Sequence, residues 1–193
     1  MKLFKKTVSI VLLLSVVFTL SACSGGRLKK ENIVKTLENQ DFEECDDYND
    51  FYEQYSRKTK KQSVYVSLTD KKAQKTYDKI FNRVNRFPDA DVTESVSGFY
   101  NGTDGYFYLL FFKFDDVKKA EKVYKKYVKA IEDADDGEEK DLIYSLSNTK
   151  KSTRYLVQNA YLEKDKLLII YGNLKDTDIM EDLIEELKLP SDF

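Results

Sequence analysis

Two runs of carboxylates, Glu43 to Asp50 and Glu132 to Asp141, are the first groups in this chain whose types and spacing suggest chemistry. Clustered acids hold divalent cations, or serve as the acid and base of a glycoside hydrolase. In the second run, placing Gly137 at the sixth position of a calcium loop puts Ala134 third and Ile143 twelfth. Neither side chain carries an oxygen, so the calcium-loop template fails and the run reads as a solvated acidic loop. With 34 acidic residues, carboxylate pairs abound and none is singled out. Histidine is absent, which removes the commonest general base, the commonest metal ligand and both Ser-His and Cys-His nucleophile pairs. Cys45 stands among Glu43, Glu44, Asp46 and Asp47, whose negative charge disfavours a thiolate, so it reads as structural. Gly98, Gly102 and Gly105 read as hairpin glycines rather than a phosphate cradle. The expectation is therefore no catalytic residue, no metal and no cofactor.

The other cysteine has a different setting. Lys2, Lys5 and Lys6 precede an uncharged run from Thr7 to Leu20. At ~1.5 Å per helical residue that run reaches only ~21 Å, short of the ~30 Å core of a bilayer. Its end, Leu20, Ser21, Ala22, Cys23, resembles the lipobox of bacterial lipoprotein precursors. The resemblance covers the first 23 residues. It implies that residues 1–22 are a signal peptide and that Cys23 carries diacylglycerol through a thioether. It also implies that residues 23–29 are a lipidated tether to the extracytoplasmic face of the cell membrane. The plainer alternative is a secretory peptide that happens to precede a cysteine. Anchoring by two or three acyl chains is stable where one is marginal.

Losing those three lysines leaves 29 basic against 34 acidic residues, a net charge of −5, which argues against nucleic acid as a partner. With Cys23 modified, Cys45 has no partner for an internal disulfide.

The elements around these residues follow from periodicity. Residues 30–39 carry Ile33, Val34 and Leu37 at helical spacing. Residues 41–50 read as a short strand and a loop, and 63–68 alternate as a strand, with Val64, Val66 and Leu68 on one side. A helix is predicted from Asp70 to about Arg86, stopped by Pro88. A hairpin joins 96–100 to 106–114, and Asp115 is placed to cap a helix to about Asp133. A strand at 142–146, a second hairpin over 153–162 and 166–172, and a helix from about Asp176 complete the chain. Phe107 to Asp116 and Leu167 to Asp176 align at an offset of sixty residues, which predicts a ββα repeat. The fold expected for residues 30–193 is a single two-layer α+β domain, an antiparallel sheet with amphipathic helices mainly on one face.

The order of a lipobox, a first helix, an apolar strand ending Phe112-Lys113-Phe114-Asp115-Asp116, a helix with Ala120 and Tyr124, and a last strand and helix resembles small uncharacterised lipoproteins of Gram-positive bacteria. That resemblance spans about half of the mature chain and implies no activity or site.

The chain has 14 tyrosines and 12 phenylalanines but no tryptophan. Tyr106 and Tyr108 share one strand face, and Phe107, Leu109 and Phe111 the other. The phenyl and aliphatic side is expected to meet the helices, leaving Tyr106 and Tyr108 as a binding surface. The plain reading, half-buried sheet tyrosines, stands beside it. The functional expectation is a non-enzymatic binding or interaction module with a protein or envelope ligand. The alternatives are an envelope-polymer hydrolase using acidic residues and a structural accessory subunit of an envelope complex.

Overall fold

Leu109 to Phe112 and Leu167 to Ile170 are unbroken apolar runs, and strands built from such runs need cover on both faces. In the computed structural model of the chain they lie side by side at the centre of a sheet. The structure describes residues 26–56, 62–81, 88–103, 105–132, 138–140, 143–151, 154–175 and 178–190. In chain order these form α1 (Lys30–Asn39), β1 (Glu43–Glu44), α2 (Tyr48–Ser56), β2 (Gln62–Thr69), α3 (Asp70–Phe81), β3 (Val92–Asn101) and β4 (Gly105–Phe114). There follow α4 (Val117–Glu132), β5 (Glu138–Lys140), β6 (Ile143–Lys151), β7 (Arg154–Glu163), β8 (Lys166–Leu174) and α5 (Asp178–Glu186). The eight strands run in the order β1-β2-β3-β4-β8-β7-β6-β5. Every neighbouring pair is antiparallel except β1 beside β2.

The class is α+β, as the sequence leads one to expect, but the layering differs. On the front face, Phe51 of α2, Tyr77 and Phe81 of α3, and Ala120, Val123, Tyr124 and Val128 of α4 pack on Val64, Leu110, Phe112, Phe114, Leu167 and Ile169. On the back face, Ile33 and Leu37 of α1 and Met180, Leu183 and Ile184 of α5 pack on Val96, Phe107, Leu109, Phe111, Leu168 and Ile170. Helices thus cover both faces, and the two-layer expectation gives way to three layers. The physical reason is the double-sided apolar character of β4 and β8.

The ββα repeat reaches no further than element order. Leu110 and Phe114 face the layer of α4, and their counterparts sixty residues on, Ile170 and Leu174, face the layer of α5. Because β4 and β8 are antiparallel neighbours, a twofold axis normal to the sheet would put both helices on one face. They occupy opposite faces, so the two units have opposite hand and no rotation superposes them.

Local expectations fared unevenly. The segment read as a loop after β1 forms α2, started by Asp47, whose Oδ1 accepts hydrogen bonds from the backbone N–H groups of Asn49 (2.7 Å) and Asp50 (3.0 Å). Asp116, not Asp115, caps α4, accepting from the Lys119 N–H at 3.1 Å. The described part of α3 ends at Phe81, and its predicted continuation to Arg86 lies outside the described residues. Gly98 is not a turn residue. It sits inside β3, where a side chain would meet Leu37 of α1 and Leu109, so its bareness lets the back-face helix approach the sheet. Of the two turn glycines, Gly105 has the positive φ, 139°.

Helices α1 and α5 end in the same way. Asp41 (φ 60°) and Lys188 (φ 54°) adopt the left-handed conformation, and the next N–H in each case reaches back: Phe42 to the Leu37 carbonyl and Leu189 to that of Ile184, both at 3.0 Å. Both apolar pairs are buried in the back-face core, completing the hydrophobic contact typical of this helix stop.

Two stability changes of opposite sign are expected. Lys188→Gly removes the left-handed strain and should stabilise by about 0.5 kcal/mol. Phe111→Ala empties a fully buried site in the back core and should cost about 3–5 kcal/mol. Urea unfolding measures both.

Candidate binding surface

The sheet has two ends, and the chain enters the core at one of them. Leu28 is 1% exposed and joins the back-face core. Just before it, the Glu163 carboxylate accepts hydrogen bonds from the backbone N–H groups of Arg27 and Leu28, both at 2.9 Å. Glu163 ends β7 at the turn into β8, so this pole also holds Phe114, Lys113 and Lys166. Arg27 and Leu28, which the sequence reading assigned to a tether over residues 23–29, thus belong to the folded domain. We call this end the near pole. Cys23 itself lies outside the described residues.

Tyr106 stands at the other end. The seven residues that separate it from Lys113 along β4 span ~24 Å. Cross-strand register builds two rows on the front face at this far pole. The inner row is Val64, Phe99, Tyr108, Tyr171 and Gln158. Its rings pack in sequence, Phe99 tilted against Tyr108 at 4.9 Å and Tyr108 stacked on Tyr171 at 4.8 Å between centroids. Gln158 closes the row by donating from Nε2 to the hydroxyl oxygen of Tyr127 on α4. The outer row is Gln62, Asn101, Tyr106 and Asn173.

The two tyrosines expected to form one open surface therefore differ. Tyr106 is 36% exposed and leans edge-on against Tyr108, 5.8 Å away. Tyr108 is half-buried in the front core. The face assigned to them is not bare, since α3 and α4 pack on it. The alternation holds, but it was joined to a single helical layer. Asn173 Oδ1, beside Tyr106 in the outer row, is buried with no hydrogen-bond partner among the described residues. At the β2 side of the same pole, Asp41, Glu43, Gln54, Gln62, Asn101 and Thr103 line a cavity of about 460 Å³. Amides, hydroxyls and carboxylates around a tyrosine platform suit a ligand rich in hydroxyl or amide groups.

Among the described residues no group of three His, Cys, Asp or Glu side chains is disposed to hold a metal ion, and no helix is long and apolar enough to cross a membrane. Cys45 is buried. Burial, followed by the charge and hydrogen bonding of Asp50, pushes its thiol up to about 12.

Comparison of the chain with protein-family models, curated proteins and solved structures finds no match. The surface thus stands on its own geometry.

One feature of the front face is hidden in the sequence by its net charge, which conceals a segregation. Helices α3 and α4 carry ten lysines against four acids, whereas α1 and α5 carry two lysines against seven acids. The signal is present in the run Lys118, Lys119, Lys122, Lys125, Lys126, Lys129, which becomes a single face only once helical phase is applied.

Three buried acids of high pKa make stability fall in alkali. Cys45 is joined by Tyr65, raised by burial and by donating to Glu38 Oε1 at 3.0 Å, and by Tyr77, raised by burial. Each folded pKa lies above the unfolded value, so their contribution is complete below the thiol's ordinary 9.0 and is lost as pH climbs from there toward 12. Melting temperature should fall over that window. In a Cys23→Ala chain, Cys45 should resist maleimide at pH 7 until denaturant is added, and native labelling at the rate of a free thiol would contradict its burial.

Proposed function

We propose that this chain is a lipid-anchored lipoprotein of the extracytoplasmic membrane face, whose domain is a non-enzymatic binding module. The observation that carries the reading is polarity of arrangement: the chain joins its core at Leu28, clamped by Glu163, at the pole opposite the Tyr106 platform. Gly26 is three residues from Cys23, a reach of at most ~10 Å. With diacylglycerol on Cys23, the near pole rests against the headgroups and the platform points outward. Arg27, Lys29 and Lys30 then face anionic lipid. The half-buried Tyr108 supports the exposed Tyr106 from beneath, so the platform is rigid and offers apolar area with a polar edge.

Two experiments test the two halves of this reading. Cys23→Ala should abolish incorporation of labelled fatty acid, and undiminished labelling would refute anchoring there. A photo-crosslinking amino acid at position 106, installed in cells, should form a discrete adduct that the same group at exposed Val117 does not. Equal or absent crosslinking at 106 would remove the platform from consideration. Tyr106→Ser should leave melting within about 0.5 kcal/mol of the parent, as a surface change, so loss of adduct partners by competition reports on binding.

A further inference from the structure

The front face carries a second surface, separate from the far-pole platform. Helix α4 is fixed on the sheet by Ala120, Val123, Tyr124 and Val128. That phase turns Lys118, Lys122, Lys125 and Lys129 outward in one stripe, with Lys126 beside it, all exposed. At ~1.5 Å per residue the stripe is ~16 Å long. Lys119 is neutralised by Asp91 and Asp115. The other five form no salt bridge among the described residues, and Glu121 is the one acid within the stripe's length. Helix α3, on the same face, adds exposed Lys71, whereas its Lys72 and Lys75 turn toward α2 and line a cavity with Asp47 and Tyr48. Beyond α3, α2 brings Asp50 and Glu53, and after Lys129 the sequence turns acidic from Glu132. Carboxylates of α2 therefore bound this cationic face on one side.

A dense cationic stripe repels itself, and an anionic partner relieves that cost. Three kinds of partner fit the charge, and the geometry separates them. A flat anionic bilayer fits poorly. The chain enters on the back-face side of the sheet, whereas packed layers stand ~10 Å apart and a helix adds ~5 Å of radius. The lysine surface thus lies ~15 Å beyond the sheet on the opposite side from an anchor that reaches only ~10 Å. Held near pole down, the domain turns this face sideways, with α3 and α4 both starting at the near pole and running away from it. Single-stranded nucleic acid fits poorly as well, because such binding needs aromatic side chains on which bases stack, and the stripe presents none. A linear, flexible polyanion fits both conditions, needing only regularly spaced cations along a line.

We infer that the α4 lysine stripe is a track for a linear phosphate-bearing polyanion that extends outward from the membrane. The orientation rests on the anchoring reading above, while the binding itself does not. It also amends the inference from net charge: a total of −5 excludes nothing once the charges are sorted onto opposite faces.

The test uses the full chain in non-ionic detergent, titrated with inorganic polyphosphate at several salt concentrations. The wild type should bind, with log K falling linearly in log salt. The variant K118Q/K122Q/K125Q/K129Q should bind at least tenfold more weakly, with the salt slope reduced by about 0.7 for each phosphate that the variant leaves unneutralised. The pair K122Q/K125Q should fall between, and Lys35→Gln on the acidic back face should change nothing. Melting curves establish that each variant is folded. The inference is overturned if polyphosphate fails to bind, or if the quadruple variant binds it as the wild type does. It is likewise overturned if phosphatidylglycerol vesicles or single-stranded DNA engage the same lysines more tightly than polyphosphate. Fatty-acid labelling of Cys23, read on the same cells, reports on anchoring alone, so either idea can fail without the other.

Discussion

The pairing of β4 with β8 is the constraint on which the molecule depends. It sets Leu109 beside Ile170, Leu110 beside Ile169, Phe111 beside Leu168 and Phe112 beside Leu167, so the middle of the sheet is apolar above and below. Antiparallel sheets ordinarily keep one face wet. This one demands two helical layers, and each hairpin's following helix supplies one of them. Close approach is built into the back face, where a side chain on Gly172 would run into the Tyr106 carbonyl and Phe107. A single methyl there would separate the two central strands or displace Phe107.

The division into two helical layers carries over into charge. Helices that cover opposite faces are free to differ on their outer sides, and α3 and α4 are lysine-rich in front where α1 and α5 are carboxylate-rich behind. The two poles differ too: one receives the chain through the Glu163 clamp, the other exposes the Tyr106 and Asn173 row. A domain with four distinguishable sides, one pole being the proposed attachment, has a defined up and a defined outward, which a binding module held at a surface requires.

Much of this was legible from residue order, and the failures have physical causes. Both hairpins and the helices after them followed from period-2 and period-3.6 patterns, and the alternation correctly split Val64 from Tyr65 and Phe107 from Tyr108. The second layer was missed although Leu109 to Phe112 announced it, because those residues were sorted by alternation when their continuity was the signal. Helix α2 was missed because acids and tyrosines in 46–56 show no apolar stripe; among its described side chains Phe51 alone is buried in the core, and an Asp47 cap holds the start. The far-pole platform was half visible. Tyr106 and Tyr108 could be paired by spacing, but Gln62, Asn101 and Asn173 come from three other strands and meet only through register.

The same central pairing decides how the chain reaches this structure. Each hairpin joins near neighbours, Asn101 with Tyr106 and Glu163 with Lys166, and such closures are complete within microseconds. β4 and β8 are about sixty residues apart along the chain, and their meeting bears the entropy of closing that long loop. A chain extruded from its amino terminus therefore presents the first hairpin with Leu109 to Phe112 wet on at least one side until β8 has emerged. Docking of one finished hairpin on another is the expected slow step, and the interval before it is when this domain is most open to wrong partners, including copies of itself.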